Sequence, residues 1–410
     1  MSLKLRSKND WGRLDMTSEW NHFALGEITE LVIDYRGKTP RKLGGDWCKQ
    51  GYRALSAKNI KTGRIVQAET IRYIDESLYR KWMKDEVQRG DILITSEAPF
   101  GQIFFWDSDE KIVLSQRLFC VRIKPEYDAR FIYYYMTTPE FQSELDGRAT
   151  GTTVIGLRQP ELMKCIIRCP EIQEQKAIAA ILSSIDAKII ANEKVNDNLQ
   201  QQAFSVFDNL IANAENNDYT VSDYAFLNPK RTLAKNQVAR SIDMSQLSTS
   251  GAFPSGWEMK PFNGGMRFTN GDTLLARITP CLENGKTAFI DFLDDGEVAF
   301  GSTEYIVLAP KNDTPPEMLY CLARYPAFVD YAVKNMNGSS GRQRVSAETV
   351  GQYRLPLFDK HSLVLFKEVV SPMFLKMRYN SLENMRLAEL RDALLPKLMS
   401  GEIDVSAVQL

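Results

Sequence analysis

The sequence lacks the marks of a membrane or secreted protein. No apolar run reaches the ~18 residues that a bilayer-spanning helix needs, and residues 1–10 are polar with mixed charge, unlike a secretory signal. The six cysteines are scattered, without the spacing of a disulfide framework or a zinc site. We therefore expect a cytoplasmic protein with reduced thiols and no membrane contact.

Motifs for catalysis and cofactor binding are also missing. The two histidines lie far apart, and neither has a nucleophile motif nearby. Gly285-Lys286-Thr287 resembles the end of a phosphate-binding loop, but Pro280 stands where its first glycine is required. Glu174-Gln175-Lys176 has the spacing of a nuclease motif, yet we expect it at the start of a long helix with its side chains pointing outward. The sequence predicts a non-catalytic chain that holds no cofactor and no metal.

Excess charge of one sign is absent overall but present locally. The net charge is −1, so any nucleic-acid surface has to be a local patch. Residues 36–64 contain nine basic side chains and one acid, Asp46. The stretches 228–242 and 331–347 contain no acid. These three stretches favour an anionic partner.

Two long amphipathic stripes organise the chain. In the first, seam positions recur at alternating steps of four and three residues, the heptad spacing of a helix packed along another helix. They are Ile178, Leu182, Ile185, Ile189, Asn192, Asn196, Leu199, Ala203, Val206 and Leu210. The stripe recurs 188 residues later, from Phe366 to Leu398, again with two asparagines four residues apart.

The asparagines predict the register of the two helices. In an antiparallel pair, Asn192 faces Asn384 and Asn196 faces Asn380. An unpaired buried amide costs ~1–3 kcal/mol, so two facing pairs would fix one register. The alternative is two unrelated amphipathic helices whose asparagines agree by chance.

The sequence around the stripes is duplicated as well. Gly90-Asp91 is answered by Gly271-Asp272, and at a constant offset of 187 Ser115 falls on Ser302. The chain is therefore interpreted as two copies of one unit, each a mixed α/β (α+β) domain followed by a long helix. We expect a pseudo-two-fold molecule in which two long antiparallel coiled-coil helices separate two domains.

These patterns set the predicted boundaries. They are a polar lead-in at 1–16, a first domain at 17–170, a central helix at 171–213, a second domain at 214–358, a C-terminal helix at 359–398 and a tail at 399–410. Two prolines qualify the second helix. Ser371-Pro372 is expected to kink it or to start it, and Pro396 to end it.

Both copies carry basic and small polar loop residues that suit double-stranded DNA. Arginine and lysine neutralise phosphates, while glutamine, serine, threonine and arginine can read base edges. The candidates in the first copy are Arg36, Lys38, Thr39, Arg41, Lys42, Gln116, Arg117, Thr152, Thr153 and Arg158. Those in the second copy are Lys230, Arg231, Arg277, Ser339, Ser340, Arg342, Gln343 and Arg344. For each single residue the alternative is a solvated surface charge.

Over nearly its whole length the chain resembles the specificity subunit of type I restriction–modification systems. The resemblance rests on the junction from Gly151 through Pro170 to Leu182, on the closing stretch 394–403 and on the basic loop 35–40. The Gly-Asp-x-Leu turns at Gly90 and Gly271 are also typical. The second junction departs from the pattern, because Asp359-Lys360-His361 replaces its Glu-Gln step, and this puts the capping of the second helix in doubt.

The resemblance implies two target-recognition domains, each reading half of a split, asymmetric DNA target, with the helices as a ruler between them. It also implies docking of two methyltransferase subunits and of restriction subunits. Those partners are expected to carry the S-adenosylmethionine, ATP and Mg, and the methylation, translocation and cleavage activities.

Two rival functions stay open. One is a duplicated protein–protein scaffold whose basic loops bind acidic surfaces. Steep salt dependence and dependence on a particular split sequence would distinguish DNA binding from it. The other is a single-chain fusion of a methyltransferase with a specificity subunit, which the missing catalytic motifs disfavour.

Overall fold

The computed structural model describes residues 20–151, 155–214, 218–339 and 341–406. The chain divides into two compact units. Unit 1 comprises Met1–Ile185 together with Leu390–Leu410, and unit 2 comprises Asp186–Glu389. Unit 2 is therefore inserted, in sequence, between two parts of unit 1. Within the described ranges, no helix is both long and apolar enough to cross a membrane.

In its described residues, unit 1 contains a four-stranded main sheet, a three-stranded second sheet and two further two-stranded sheets. Its strands are β1 (Asn21–Ala24), β2 (Thr29–Asp34), β3 (Tyr52–Leu55), β4 (Ile60–Lys61), β5 (Arg64–Ile65), β6 (Arg72–Ile74), β7 (Ile92–Thr95), β8 (Ile103–Phe105), β9 (Ile112–Leu114), β10 (Leu118–Ile123) and β11 (Ile166–Cys169). Its short helices are α1 (Leu25–Ile28), α2 (Glu76–Trp82), α3 (Ala129–Met136), α4 (Pro139–Arg148) and α5 (Gln159–Leu162), and the long helix α6 spans Ile172–Ala212. The main sheet has the antiparallel order β2-β10-β7-β8. The second has the order β6-β3-β9, with β3 and β9 parallel.

Unit 2 repeats this order. Its strands are β12 (Tyr219–Thr220), β13 (Ala225–Leu227), β14 (Val238–Ile242), β15 (Glu258–Pro261), β16 (Met266–Phe268), β17 (Thr273–Ala276), β18 (Thr287–Phe289), β19 (Ala299–Gly301), β20 (Tyr305–Pro310) and β21 (Arg354–Leu355). Its helices are α7 (Val221–Tyr224), α8 (Pro316–Arg324), α9 (Pro326–Lys334), α10 (Ala347–Gly351) and the long α11 (Lys360–Met399). The main sheet is β13-β20-β17-β18, and the second is β15-β14-β19-β16 with β14 and β19 parallel. The predicted mixed α/β duplication is confirmed by this shared topology.

The inner strands β7 and β17 are apolar on both faces because both faces are covered. Ile94 lies in a core with α3 and α4, whereas its neighbour Leu93 lies in a core with the second sheet. In unit 2, Leu275 and Leu274 divide in the same way between the helices and the second sheet. Burying each such side chain stabilises the fold by ~1.5–3 kcal/mol, which fixes the sheet between its two layers.

The start of α6 corrects one expectation. Gln175 does not point outward: it is 2% exposed, donates to the Pro170 carbonyl at 2.8 Å and accepts from the Asp128 N–H at 2.9 Å. An amide offers a donor and an acceptor together, so a single buried glutamine satisfies both backbone groups. Gln175 therefore anchors α6 to unit 1.

Helix α11 runs past both prolines. Asp359 accepts from the Ser362 N–H at 2.9 Å, and the helix begins there rather than at Ser371. It also continues beyond Pro396 to Met399. A proline inside a helix costs ~3 kcal/mol, which is comparable to the burial of one or two large apolar side chains. Val370 and Phe374, either side of Pro372, are fully buried and offset that cost.

The asparagines lie where α6 and α11 pack together within unit 2. Asn192 donates to Asn384 at 2.8 Å, and Asn380 donates to Asn196 at the same distance. Asn192 is 4% exposed and Asn380 1%. The residue numbers of the two pairs have the same sum, as they must when two helices run antiparallel in a single register. The contacts therefore define one antiparallel register. In unit 1 the corresponding contacts are apolar, and Ile178 is buried in the same core as α11 residues.

Candidate nucleic-acid interface

In unit 1, three loops meet beyond the end of β7. The Ser96 N–H donates to the Arg117 carbonyl at 2.9 Å, and the Leu157 N–H donates to the Ser96 carbonyl at 3.0 Å. Arg117 has a φ of 65°, a left-handed conformation that non-glycine residues rarely adopt. Its guanidinium lies 3.0 Å from the carboxylate of Glu97, and it is about half exposed. The loop junction therefore presents Gln116 and Arg117 to solvent.

Arg36 joins the same junction. Its guanidinium stacks over the Phe119 ring at 4.0 Å, pairs with Asp34 at 2.8 Å and donates to the Leu157 carbonyl at 3.3 Å. Arg158 follows Leu157 and is exposed. The structure thus brings together four of the predicted residues of the first copy, namely Arg36, Gln116, Arg117 and Arg158.

Three of the four remaining candidates of the basic loop have internal partners. Lys38 donates to the Trp82 carbonyl at 2.6 Å, and Lys42 donates to the Gly37 carbonyl at 2.8 Å. The Thr39 hydroxyl accepts from the Lys42 N–H at 3.4 Å. Arg41 is exposed. Two lysines therefore hold the loop in shape, and Arg41 is available to a partner.

A cleft opens beside Gln116 and Arg117. Lys58 and Arg72 line it with them, and no acid is among its lining residues. The Arg72 guanidinium lies over the ring of Trp47, 4.5 Å from its centroid. Sequence reasoning missed Trp47 and Arg72, because Arg72 reaches the cleft only through the pairing of β6 with β3.

In unit 2, a hairpin packs against the loop that follows β17. The Thr279 N–H donates to the Gln343 carbonyl and the Val345 N–H to the Arg277 carbonyl, each at 3.0 Å. Arg342 is exposed at the hairpin. The predicted residues Arg277, Arg342, Gln343 and Arg344 are therefore neighbours in the fold.

An ion pair fixes this hairpin. Arg344 donates to both carboxylate oxygens of Glu304, at 2.7 and 2.9 Å. The hydrogen bond from Arg344 lowers the pKa of Glu304 below its usual value. Sequence reasoning missed Glu304, which lies 40 residues before its partner. Both side chains remain partly exposed, so the pair borders the candidate surface.

Arg231 has a different environment. Its guanidinium lies 2.7 Å from Asp272, a carboxylate that is 1% exposed. Burial raises the pKa of Asp272 to about 6, although Arg231 opposes the shift. Arg231 serves as the counter-charge of a buried acid, while the neighbouring Lys230 is exposed.

Three candidates, Thr152, Thr153 and Ser340, lie outside the described residues. Ser339 is exposed. In the parts of the chain that the structure describes, no group of three His, Cys, Asp or Glu side chains could hold a metal ion.

The fold and these loop clusters define a duplicated α/β recognition protein with an antiparallel helix pair. Residues 17–201 match the family described as "Type I restriction modification DNA specificity domain". The chain is 22% identical to the type I restriction enzyme HindI specificity subunit of Haemophilus influenzae, over 78% of this chain and 88% of that one. A shorter match, 28% identical, covers 46% of this chain and 44% of the MjaVIII specificity subunit of Methanocaldococcus jannaschii.

Among solved structures, the S subunit of a type I restriction–modification system from M. genitalium has a similar fold. The match has a TM-score of 0.55 at 17% identity and covers 94% of this chain and 97% of that one. Residues 17–201 therefore match the type I restriction modification DNA specificity domain, and over most of its length the chain is similar to type I restriction enzyme specificity subunits.

Proposed function

We propose that this chain reads a bipartite, asymmetric sequence in double-stranded DNA for a type I restriction–modification complex, one half-site per unit. The observation that carries the proposal is the repeated main sheet whose loops gather arginine and glutamine in both units. These are Gln116 with Arg117 in unit 1, and Gln343 with the exposed Arg342 in unit 2. Arginine pairs bidentately with guanine and glutamine with adenine in the major groove, so both clusters hold the side-chain types that read base edges.

We further propose that the chain positions two methyltransferase subunits and the restriction subunits on this DNA. These partners would carry the S-adenosylmethionine, ATP and Mg, and the catalysis. Helix α11 supports a protein partner, because Val364, Leu365 and Val369 are 44–47% exposed on it. Exposed apolar side chains that cluster on one surface often mark protein interfaces.

Methylome sequencing tests the reading function. Cells that express the chain with its neighbouring methyltransferase gene are expected to show a bipartite adenine-methylated motif that is lost without the chain. Gln116→Ala is expected to relax one half of that motif, and Arg342→Ala the other half. Each lost base contact is worth ~1–3 kcal/mol of discrimination.

Surface variants provide matched controls. Arg80 on α2 and Lys334 on α9 are each more than two thirds exposed, and their alanine variants should leave the motif unchanged. No motif in the presence of an active methyltransferase would favour the acid-binding scaffold. Relaxation of both halves by one variant would contradict the assignment of one half-site to each unit.

A further inference from the structure

The cleft of unit 1 has an equivalent position in unit 2 that carries the opposite charge. The parallel pairs of the two second sheets set the correspondence, because Leu55 lies beside Leu114 and Ile242 beside Gly301. A single 3-10 turn follows in each unit. It is closed by Ser56 with Asn59 in unit 1, and by Asp243 with Gln246 in unit 2. Lys58 in the first turn therefore corresponds to Ser245 in the second.

The antiparallel neighbours extend the correspondence. Ala54 faces Arg72 across β3 and β6, and the equivalent Ser241 faces Glu258 across β14 and β15. One residue earlier, Arg53 pairs with Glu110 and the equivalent Arg240 pairs with Glu297. These ion pairs recur at the 187-residue offset, whereas strand pairing aligns Arg72 with Glu258 at an offset of 186.

Three cations in unit 1 are consequently replaced in unit 2. Lys58, Arg72 and Arg117 correspond to Ser245, Glu258 and Glu304, the last by the 187-residue offset. The acids of unit 2 have their own counter-charges. Lys260 lies 2.9 Å from both Asp243 and Glu258, and Arg344 holds Glu304.

Of the three cations of unit 1, Arg117 pairs with Glu97, but Lys58 and Arg72 are not matched in this way. Lys58 and Arg72 are exposed, and no carboxylate pairs with either of them among the described residues. Arg72 stacks on Trp47, which restrains its guanidinium before any ligand arrives. Two unneutralised cations at the edge of a cleft that also holds a base-reading candidate favour an anion there.

We propose that the unit 1 cleft binds a backbone phosphate of duplex DNA through Lys58 and Arg72, beside Gln116 and Arg117, and that unit 2 holds its half-site without an equivalent contact. This inference rests on the proposed function. The corresponding place in unit 2 has Ser245, Glu258 and Glu304 instead of the three cations, and Lys260 and Arg344 are already paired with its acids. The two half-sites are therefore bound with unequal electrostatic contributions.

Salt dependence measures the contact. Each phosphate neutralised by a cation steepens the fall of log Kobs against log salt concentration by about 0.9. For the complex of this chain with its methyltransferase partner, we expect Lys58→Ala/Arg72→Ala to flatten that slope by about 0.9, because the two cations share one phosphate. The wild type should then lose roughly threefold more affinity than the variant between ~50 and ~200 mM salt. Fluorescence anisotropy on a labelled duplex gives both values.

Three further variants separate charge from other effects. Arg72→Lys retains the charge and should retain the slope. Arg80→Ala removes an exposed cation outside the cleft, and Glu258→Gln changes the corresponding position of unit 2, so both should leave the slope unchanged. The methylated motif should be the same in all variants, because phosphate contacts carry no base information.

An unchanged slope in Lys58→Ala/Arg72→Ala, with an unchanged melting temperature, would overturn the inference. So would a changed motif, since that would make the cleft a reader of bases. The slope is also measured on a duplex without the motif. If the wild-type complex methylates no bipartite motif but the slope still flattens, the sequence-reading function fails while the phosphate contact stands.

Discussion

The two units bury an equivalent aspartate but neutralise it from different places in the fold. In unit 1, Arg122 on β10 lies 2.9 Å from Asp91. In unit 2, the strand position equivalent to Arg122 is Ala309, and Arg231 reaches Asp272 from the loop after β13. The aspartate therefore occupies an equivalent position in both units, whereas the arginine that neutralises it comes from a different position in each.

The acid stays because it closes a turn. Asp91 accepts from the Gln88 N–H, and Asp272 accepts from the Thr269 N–H, each at 2.8 Å and each three residues back. A buried backbone donor without a partner is costly, so both aspartates are held by local geometry. Arginines at any position that reaches the carboxylate satisfy the remaining requirement for charge.

The largest effect is expected from substitutions that remove the arginine counter-charge of one buried aspartate at a time. Arg231→Ala leaves the Asp272 carboxylate buried without its counter-charge, which should cost about 3 kcal/mol of unit 2 stability above pH ~7. Arg122→Ala should do the same to unit 1. Hydrogen exchange measured by mass spectrometry reports β17 and β7 separately. If Arg231→Ala instead weakens DNA binding without destabilising β17, Arg231 is a DNA contact, as the sequence predicted.

A pH titration sharpens the comparison. Because burial raises the pKa of Asp272 to about 6 from its usual range, the folded state binds an extra proton between pH ~4 and ~6. The free energy of unfolding contributed by this group is therefore highest below pH ~4 and falls as the pH rises through ~6. Asp272→Asn removes the titratable group, and with it the coupling between proton binding and folding at this position. The stability difference, wild type minus variant, should decline by about 2 kcal/mol across this window.

Denaturant unfolding at several pH values measures how the stability difference between wild type and Asp272→Asn changes with pH. A difference that is constant between pH ~4 and ~6, or one that grows as the pH rises, would contradict the raised pKa.

The helix seam offers a smaller contrast, between the amide pairs of unit 2 and the apolar contacts of unit 1. Asn380→Ala removes the donor to the Asn196 side-chain oxygen and should cost about 1–2 kcal/mol, measured by chemical denaturation. Replacing Asn196 and Asn380 together by leucine should restore or raise stability but weaken the register. A double variant that is less stable than Asn380→Ala would show that the amides do more than satisfy each other.

The smallest effect concerns the two equivalent ion pairs. Arg53 and Glu110 are 30% and 43% exposed, whereas Arg240 and Glu297 are 18% and 20% exposed. Because water screens the first pair more strongly, its double-mutant cycle should give below ~0.5 kcal/mol and that of the second pair nearer ~1 kcal/mol. Equal coupling energies would show that burial does not set the difference.

Features with a regular spacing were predictable from the sequence. The heptad spacing predicted two helices packed against each other, and the positions of the asparagines predicted their register. The duplication followed from Gly90-Asp91 and Gly271-Asp272, whose turns recur with their strands. Local spacing determines these features, so no knowledge of long-range contacts was needed.

The loop surfaces were only partly predictable, because distant residues complete them. Residue types placed Arg117 and Arg344 among the candidates, but not the acids Glu97 and Glu304 that hold them. Arg231 had the right charge and an acid-free neighbourhood, yet a buried carboxylate 41 residues later takes its guanidinium. Pairing between strands decides such partners, and the order of strands in a sheet does not appear in the spacing of residues.

The division of unit 1 between two stretches of sequence has a consequence for biosynthesis. Leu398, Met399 and Val405 are buried in the same core as Leu25 and Ile28. During translation, at ~5–20 residues per second, all of unit 2 leaves the ribosome before those three side chains do. The unit whose synthesis starts first is therefore the last to complete its core, because its apolar surface stays open until the end of α11 and Val405 have been made.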